Sequence, residues 1–321
     1  MGVNKGADNR TRDLAARAVE IAQEDARAAG SIAFQSRIFC QLSLPHREPP
    51  PDPRTGEAPT DWVRRNGSLT LRLRPGLTDV GKPTERYGYP FGVLPRYLIT
   101  WISTEIIQDG PAVQDDGLTL DMGGSMRAFL AQIGLTSTGG RKGSVTRLRD
   151  QVTSLATATI SISDTRNEGG VWNFRAANVG LISEVDLWWS DKPTQSDTLW
   201  PNTITISPAF RDSIKASSVP LDTRGLALIQ QAKAGPLALD LDTWLAHRFY
   251  SLRRTTTVPW ILLSEQFGSQ YGRVRNFKAN AIKALPVVRL AYPEANVSPS
   301  ADGLVLKPSP LPVARKIVLD A

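Results

Sequence analysis

The sequence predicts an α+β chain: an N-terminal helix, then two tandem modules in which paired helices are followed by a β hairpin. Three observations carry that expectation. Residues 125–155 and 259–292 each read as a short helix, a turn and a longer basic helix. Segments rich in alternating and β-branched residues follow, at 156–189 and 303–310. The phrase FLAQIG before the first basic helix corresponds to LLSEQFG before the second, a faint internal duplication. Helix, turn, helix, hairpin is the winged-helix pattern. The expected division is a helical arm over 1–36, a first winged-helix domain over 37–192, and a second over 193–321 with its tail.

In chain order, residues 12–29 are alanine-rich and charged and should form a surface helix. RIFCQLSLP (37–45) alternates like a strand, and the proline-heavy stretch 48–61 must be a loop. GSLTLRLRP (67–75) alternates apolar and basic residues and should pair with the preceding strand. A helix should begin near Pro95, because proline suits a first turn. Its stripe of Leu98, Trp101, Ile102 and Ile106 is broken only by Glu105. GLTLDM (117–122) is a short strand, and SMRAFLAQIGL (125–135) a helix with Met126, Phe129, Leu130 and Ile133 on one face. After the first basic helix, 156–163 and 171–189 supply the hairpin, with DTRNEGG as its tip and DKPTQSDT (191–198) as an interdomain linker. In the second half, ISPAFRDSIKA, LDTRGLALIQQA and 241–254 should be helices. The stretch 259–292 should end in a strand, and 303–310 returns as the second hairpin strand.

Composition bounds the function. A chain of 321 residues with 41% hydrophobic content can build two cores. No apolar run approaches eighteen residues, so no membrane partner is expected. The first twenty residues lack the apolar stretch of a signal peptide, and Gly6 spoils a myristoylation reading of the Met-Gly start. A single cysteine, Cys40, excludes an intramolecular disulfide and a multi-cysteine metal site, and a cytoplasmic location is the default. The 38 basic and 31 acidic residues give a formal charge of +7. That permits a polyanionic partner without requiring one.

The two basic helices carry the argument. In the first, Val145, Leu148, Val152 and Leu155 form an apolar stripe, opposite Thr146, Arg147, Asp150, Thr153 and Ser154. In the second, Val274, Phe277, Ala281 and Leu285 form the stripe, opposite Arg275, Asn276, Asn280 and Lys283. Residues 271–289 contain Arg273, Arg275, Lys278, Lys283 and Arg289 and no acid. Arginine reads guanine and asparagine reads adenine through paired hydrogen bonds in the major groove, so such a face suits direct base readout. The alternative is an ordinary solvated face.

TGGRKGSVTRLRDQV (138–152) raises the question of whose phosphate a glycine-rich turn would hold. It does not fit the nucleotide-binding G-x-x-x-x-G-K-[ST] pattern. Gly139 and Gly140 would let a phosphodiester approach the backbone, Arg141 and Lys142 would neutralise it, and Ser144 with the next helix would donate to it. Arg166, at the hairpin tip, is the remaining candidate DNA contact.

YGYPFGVLPRYLITWISTEII, then LDMGGSMRAFLAQIGLTSTGGRKGSVTRLRDQV, with RIFCQLSLPHR upstream, resembles the plasmid-encoded RepA-type replication initiators. The likeness spans about 37–190, with G-x-x-P-R (92–96) and GLTSTGGRKG (134–143) as its most specific phrases. By resemblance, Gly139, Gly140, Arg141, Gly143 and Arg147 match the motif around the first recognition helix. The resemblance implies an initiator that binds repeated double-stranded sites at an origin, promotes opening and recruits host replication proteins, and that forms dimers in some relatives. A winged-helix repressor without replication activity is the alternative, and an adaptor whose basic faces bind protein is a third reading.

Catalysis is not expected. The two histidines, His46 and His247, lie some two hundred residues apart, so no His-x-His metal pair exists. Asp242 in LDLDTWL reads as a helix N-cap, and His247 as a surface or packing residue. No G-x-S-x-G elbow occurs. Trp172, Trp188, Trp189 and Trp200 read as core packing between sheet and helices, with a protein-interaction surface, for example in dimerisation, as the alternative, and no cofactor or metal is implied.

Overall fold

The computed structural model describes residues 5–76, 88–138, 143–168, 171–187, 202–268 and 271–314. They fold as two compact units: one is 42–218, and the other joins 1–41 to 219–321. The N-terminal segment is therefore part of the C-terminal unit's core and not a separate arm over 1–36.

The chain opens with α1 (Lys5–Gln23), β1 (Ile32–Ser36) and α2 (Arg37–Gln41). α1 buries Ala18 and Ile21 and exposes Arg12, Asp13, Arg17 and Glu20. The expected strand at 37–45 is displaced. β1 precedes it, and 37–41 turn helical, which lets the adjacent Phe39 and Cys40 both be buried.

The unit 42–218 follows with β2 (Trp62–Asn66), β3 (Leu69–Arg74), α3 (Leu94–Gln108), β4 (Thr119–Asp121), α4 (Met126–Gln132) and α5 (Ser144–Thr157). It continues with β5 (Thr159–Glu168), β6 (Val171–Val179), β7 (Ile182–Asp186), β8 (Thr203–Ile206) and α6 (Pro208–Ala216). Two antiparallel sheets result, ordered β2-β3-β5-β6 and β4-β8-β7. Gly67, at φ +60, makes the two-residue turn between β2 and β3.

α3 is buried along most of its length, and Trp101 meets Phe129 of α4 edge-on at 4.8 Å. Full burial of a ring such as Phe129 is worth about 1.5–3 kcal/mol. Glu105 sits in the apolar stripe because its carboxylate accepts from the Ala112 N–H, tying down the turn after the helix. Ser125 caps α4 by accepting from the Ala128 N–H.

The chain then returns to the unit that holds α1, β1 and α2, with β9 (Ser218–Asp222), α7 (Thr223–Gln231), α8 (Pro236–Ser251), β10 (Thr256–Pro259), α9 (Trp260–Phe267), α10 (Val274–Ala291), β11 (Val297–Pro299) and β12 (Gly303–Leu306). β1 and β9 form a two-stranded sheet, and the others a sheet ordered β10-β12-β11. Asp222 caps α7. Asp242 is not a cap: α8 starts at Pro236 behind Gly235, leaving Asp242 buried in mid-helix. Nor do residues 286–292 form a strand. Pro286 lies on the exposed side of α10, where one lost backbone hydrogen bond is tolerable, and Leu285, Val288 and Ala291 keep the helix docked.

The two units share one plan. α3-β4-α4-α5-β7-β8 and α8-β10-α9-α10-β11-β12 have the same element order. In each three-stranded sheet the last strand lies in the centre, antiparallel to both neighbours. The first unit adds β5–β6 between its basic helix and β7. This corrects two expectations. The hairpin with DTRNEGG belongs to the separate four-stranded sheet, and 191–198, outside the described residues, connects two paired strands of one sheet instead of two units.

Candidate nucleic-acid interface

α10 is held by one face and open on the other. Phe277, Ala281, Leu285 and Val288 are buried, and Phe277 is wedged edge-on between Trp260 at 6.5 Å and Tyr271 at 5.8 Å. The opposite face exposes Arg275, Asn276, Ala279, Asn280 and Lys283, with Arg273 exposed at the N-cap. Val274 is half-buried at the edge of the stripe. Asn280 Nδ2 donates to the Asn276 carbonyl at 2.8 Å, which orients the amide along the helix.

The other two bases of this stretch have structural duties. Lys278 Nζ donates to the Ala301 carbonyl at 2.8 Å and lies 5.5 Å from the Trp260 ring centroid. Arg289 donates to the Val297 carbonyl. Both fasten the β11–β12 hairpin, which Trp260 Nε1 also holds by donating to the Ser300 carbonyl at 3.1 Å. The basic helix and its hairpin are thereby rigidly joined.

α5 is more enclosed. Leu148, Val152 and Leu155 are buried as the stripe requires, but so are Gln151 and Ser154, the latter expected on the outer face. Gln151 faces inward because its side-chain carbonyl accepts from the Phe91 N–H at 2.6 Å. Arg147 is exposed and Thr146 half-buried. Arg149 leans on Asp150 at 3.3 Å, so this face carries an acid, unlike that of α10.

Ser144 leaves the set of DNA contacts. Its hydroxyl is buried, donates to the Thr136 carbonyl at 2.9 Å and accepts from the Thr138 N–H at 2.7 Å. Its own N–H donates to Thr138 Oγ1 at 2.9 Å. These bonds close the base of the glycine-rich loop. The loop residues themselves, Gly139, Gly140, Arg141 and Lys142, lie outside the described residues.

Arg166 is exposed but is not a turn residue. It lies within β5, and its guanidinium meets Asp164 at 2.7 Å on the same face. Period-two alternation puts residues two apart on one side, so the pair partly neutralises itself. The expected packing of Trp172, Trp188, Trp189 and Trp200 falls on side chains outside the described residues.

One basic surface was not anticipated. Arg65 of β2 and Arg72 and Arg74 of β3 are exposed on one face of the four-stranded sheet, and the apolar–basic alternation of 67–75 was its sequence signal. A buried titrating cluster also emerges in the C-terminal unit. Burial, then Asp222, pushes Asp242 up to about 7. Burial, then Asp240 and Asp242, raises the Cys40 thiol well above its ordinary value, leaving an inert structural cysteine. Burial, then Arg37 and Arg248, pushes half-buried His247 down to about 4, so it packs as neutral imidazole near neutral pH. Among the described residues no group of three or more His, Cys, Asp or Glu side chains is placed to hold a metal, and no helix is long and apolar enough to cross a membrane.

Of the phrases that carry the resemblance, G-x-x-P-R is architectural. Arg96, closing G-x-x-P-R, is buried and donates to the carbonyls of Gly92 at 2.6 Å, Leu44 at 2.7 Å and Pro45 at 3.2 Å. Tyr89 hydroxyl donates to the Pro59 carbonyl at 2.8 Å. Together they bind the start of the unit to α3.

Comparison with solved structures finds two crystal structures of domains 2 and 3 of RctB. The first, a selenomethionine derivative, is 11% identical, covers 85% of this chain and 96% of its own, and gives a TM-score of 0.47. The second is 12% identical, covers 84% and 96%, and gives 0.46. No curated protein matches the sequence. The family described as plasmid-encoded RepA protein matches residues 88–261, more than half of the chain, and the chain belongs to that family.

Proposed function

We propose that the protein is a plasmid replication initiator that binds repeated double-stranded sites at its origin, promotes their opening, and brings in host replication proteins. Each unit acts as a winged-helix module, and the mechanism is non-covalent. α10 reads bases, with Arg275 matched to guanine and Asn276 and Asn280 to adenine. Arg273, Lys283, Arg147 and the loop 139–142 contribute phosphate contacts that set position.

The observation that carries this reading is the open, acid-free face of α10, rigidly backed by the Phe277 cluster. Duplex DNA is a polyanion with hydrogen-bonding base edges, and this face offers cations and amides together. Mobility shifts on the plasmid's own repeats test it. Arg275→Ala should cost about 1–3 kcal/mol on those repeats and little on scrambled ones, while Lys142→Ala should lower the salt slope by about one. Equal wild-type affinity for native and scrambled repeats at physiological salt would refute specific readout.

A further inference from the structure

The four-stranded sheet buries one face and leaves the other open. Leu71, Leu73 and Ile160 point inward and are fully buried. Cross-strand registry fixes which residues share the opposite face. Val63 pairs with Arg72 and Arg65 with Thr70 across β2–β3. Arg74 pairs with Thr159, Arg72 with Ser161 and Thr70 with Ser163 across β3–β5. Thr165 pairs with Phe174 across β5–β6.

The outer face is thus a row of arginines, a row of hydroxyls and an aromatic ring. Arg65, Arg72, Arg74, Thr159 and Thr165 are exposed, and Phe174 is 68% exposed, the largest value among the exposed large apolar residues described. Asp61 beside Arg72 and Arg74 is the acid that the ion pairs place at this surface, so the three guanidiniums keep a net positive charge. With strands about 4.8 Å apart, and Phe174 two residues along β6 from Ala176 in the row of Arg65, the two stand about 16 Å apart across the sheet. A short stretch of nucleotides spans that distance.

From this juxtaposition of Phe174 with Arg65, Arg72 and Arg74 on one sheet face, we propose a binding platform for single-stranded DNA. A bare ring on a flat surface gains by stacking on an unpaired base, while bases in a duplex already stack on one another. The arginines track the phosphates, and the serine and threonine hydroxyls meet base edges or sugars. Charge argues against a second copy of the chain as occupant, because face-to-face pairing would bring arginine rows together. The platform extends the proposed function: duplex is read at α10, and one separated strand is held on the sheet. Only the choice of DNA rests on that function.

Fluorescence anisotropy of the full chain with a labelled 20-nucleotide oligo-dT tests the platform, alongside mobility shifts on duplex repeats. Wild-type protein should bind the oligonucleotide. Phe174→Ala and, separately, Arg65→Ala/Arg74→Ala should each weaken it about tenfold while leaving duplex binding and the melting temperature unchanged. Duplex binding without oligo-dT binding would overturn the platform and leave the initiator reading intact, and loss confined to the duplex would do the reverse. Unchanged oligo-dT affinity in both variants would also overturn it. So would sedimentation showing that Phe174→Ala dissociates a dimer while oligo-dT binding persists, since the face would then join two copies.

Discussion

Arg96 offers the most direct test of whether the G-x-x-P-R phrase serves folding or DNA. Its side chain is 6% exposed and donates to three carbonyls, two of them at 2.6 and 2.7 Å. Hydrogen bonds from a charged donor contribute about 1.5–3 kcal/mol each, and the two short ones together set about 3–6 kcal/mol for Arg96→Met. Methionine keeps volume but leaves the carbonyls of Leu44 and Gly92 without this donor. Relief of a buried charge offsets part of the loss, which favours the lower end. In a unit of this size 1 kcal/mol moves the midpoint by about 2–4 °C, so a fall of about 6–12 °C is expected. Arg96→Lys should lie between, because an ammonium cannot span carbonyls that a planar fork reaches. The assay is thermal unfolding followed by circular dichroism, with duplex binding measured well below the transition. Arg96→Met melting within about 2 °C of wild type, or Arg96→Lys folding normally yet losing duplex affinity, would refute the architectural role.

Two further outcomes concern the C-terminal unit. Asp242 is held near 7 in the fold and has its ordinary value of 3.8 when unfolded, so the folded state binds the extra proton. Stability from this group is full below about pH 4 and is lost as pH rises to 7; Asp242→Asn should therefore gain up to about 4 kcal/mol over wild type between pH 4 and pH 8 in urea unfolding, and a gain independent of pH would contradict this. A Cβ on Gly225 would stand 2.6 Å from the Ala291 carbonyl oxygen, a backbone atom of α10. Gly225→Ala should cost about 1–3 kcal/mol by forcing α7 off α10, and an unchanged melting temperature would count against that packing.

The sequence exposed helices better than sheet partnership, for a physical reason. A helix's stripe is local: Phe277, Ala281 and Leu285 mark the inner face of α10, and all are buried. Strand pairing is set by residues far away. β5 and β6 alternate as any hairpin does, and nothing local says that β5 will pair with β3. The strand at 203–206 lies hidden in four residues, TITI, whose partner β4 is some eighty residues earlier. Polar residues misled in the same way. Ser144 looks like a phosphate donor beside glycines and bases, yet its bonds to Thr136 and Thr138 reveal a clasp. Asp242 looks like a cap before TWL, but Pro236 had already started the helix.

The shared plan of the two units makes their differences informative. If both basic helices read bases alike, their outer faces should be equally open and equally free of acid. They are not. α10 exposes Arg275, Asn276, Asn280 and Lys283 without an acid in the helix, whereas α5 buries Gln151 and Ser154 and carries Asp150 beside Arg149. Positive charge in the first unit instead lies in the sequence of the clasped loop 139–142 and on the sheet with Arg65, Arg72 and Arg74. On the readings proposed above, the sheet arginines meet the phosphates of a single strand, which carries little sequence information, and discrimination between duplex bases is left to the amides and guanidiniums of α10. One shared element order thus carries two chemically distinct basic surfaces: guanidiniums and amides on the acid-free outer face of α10, and arginines spread over a sheet face in the other unit.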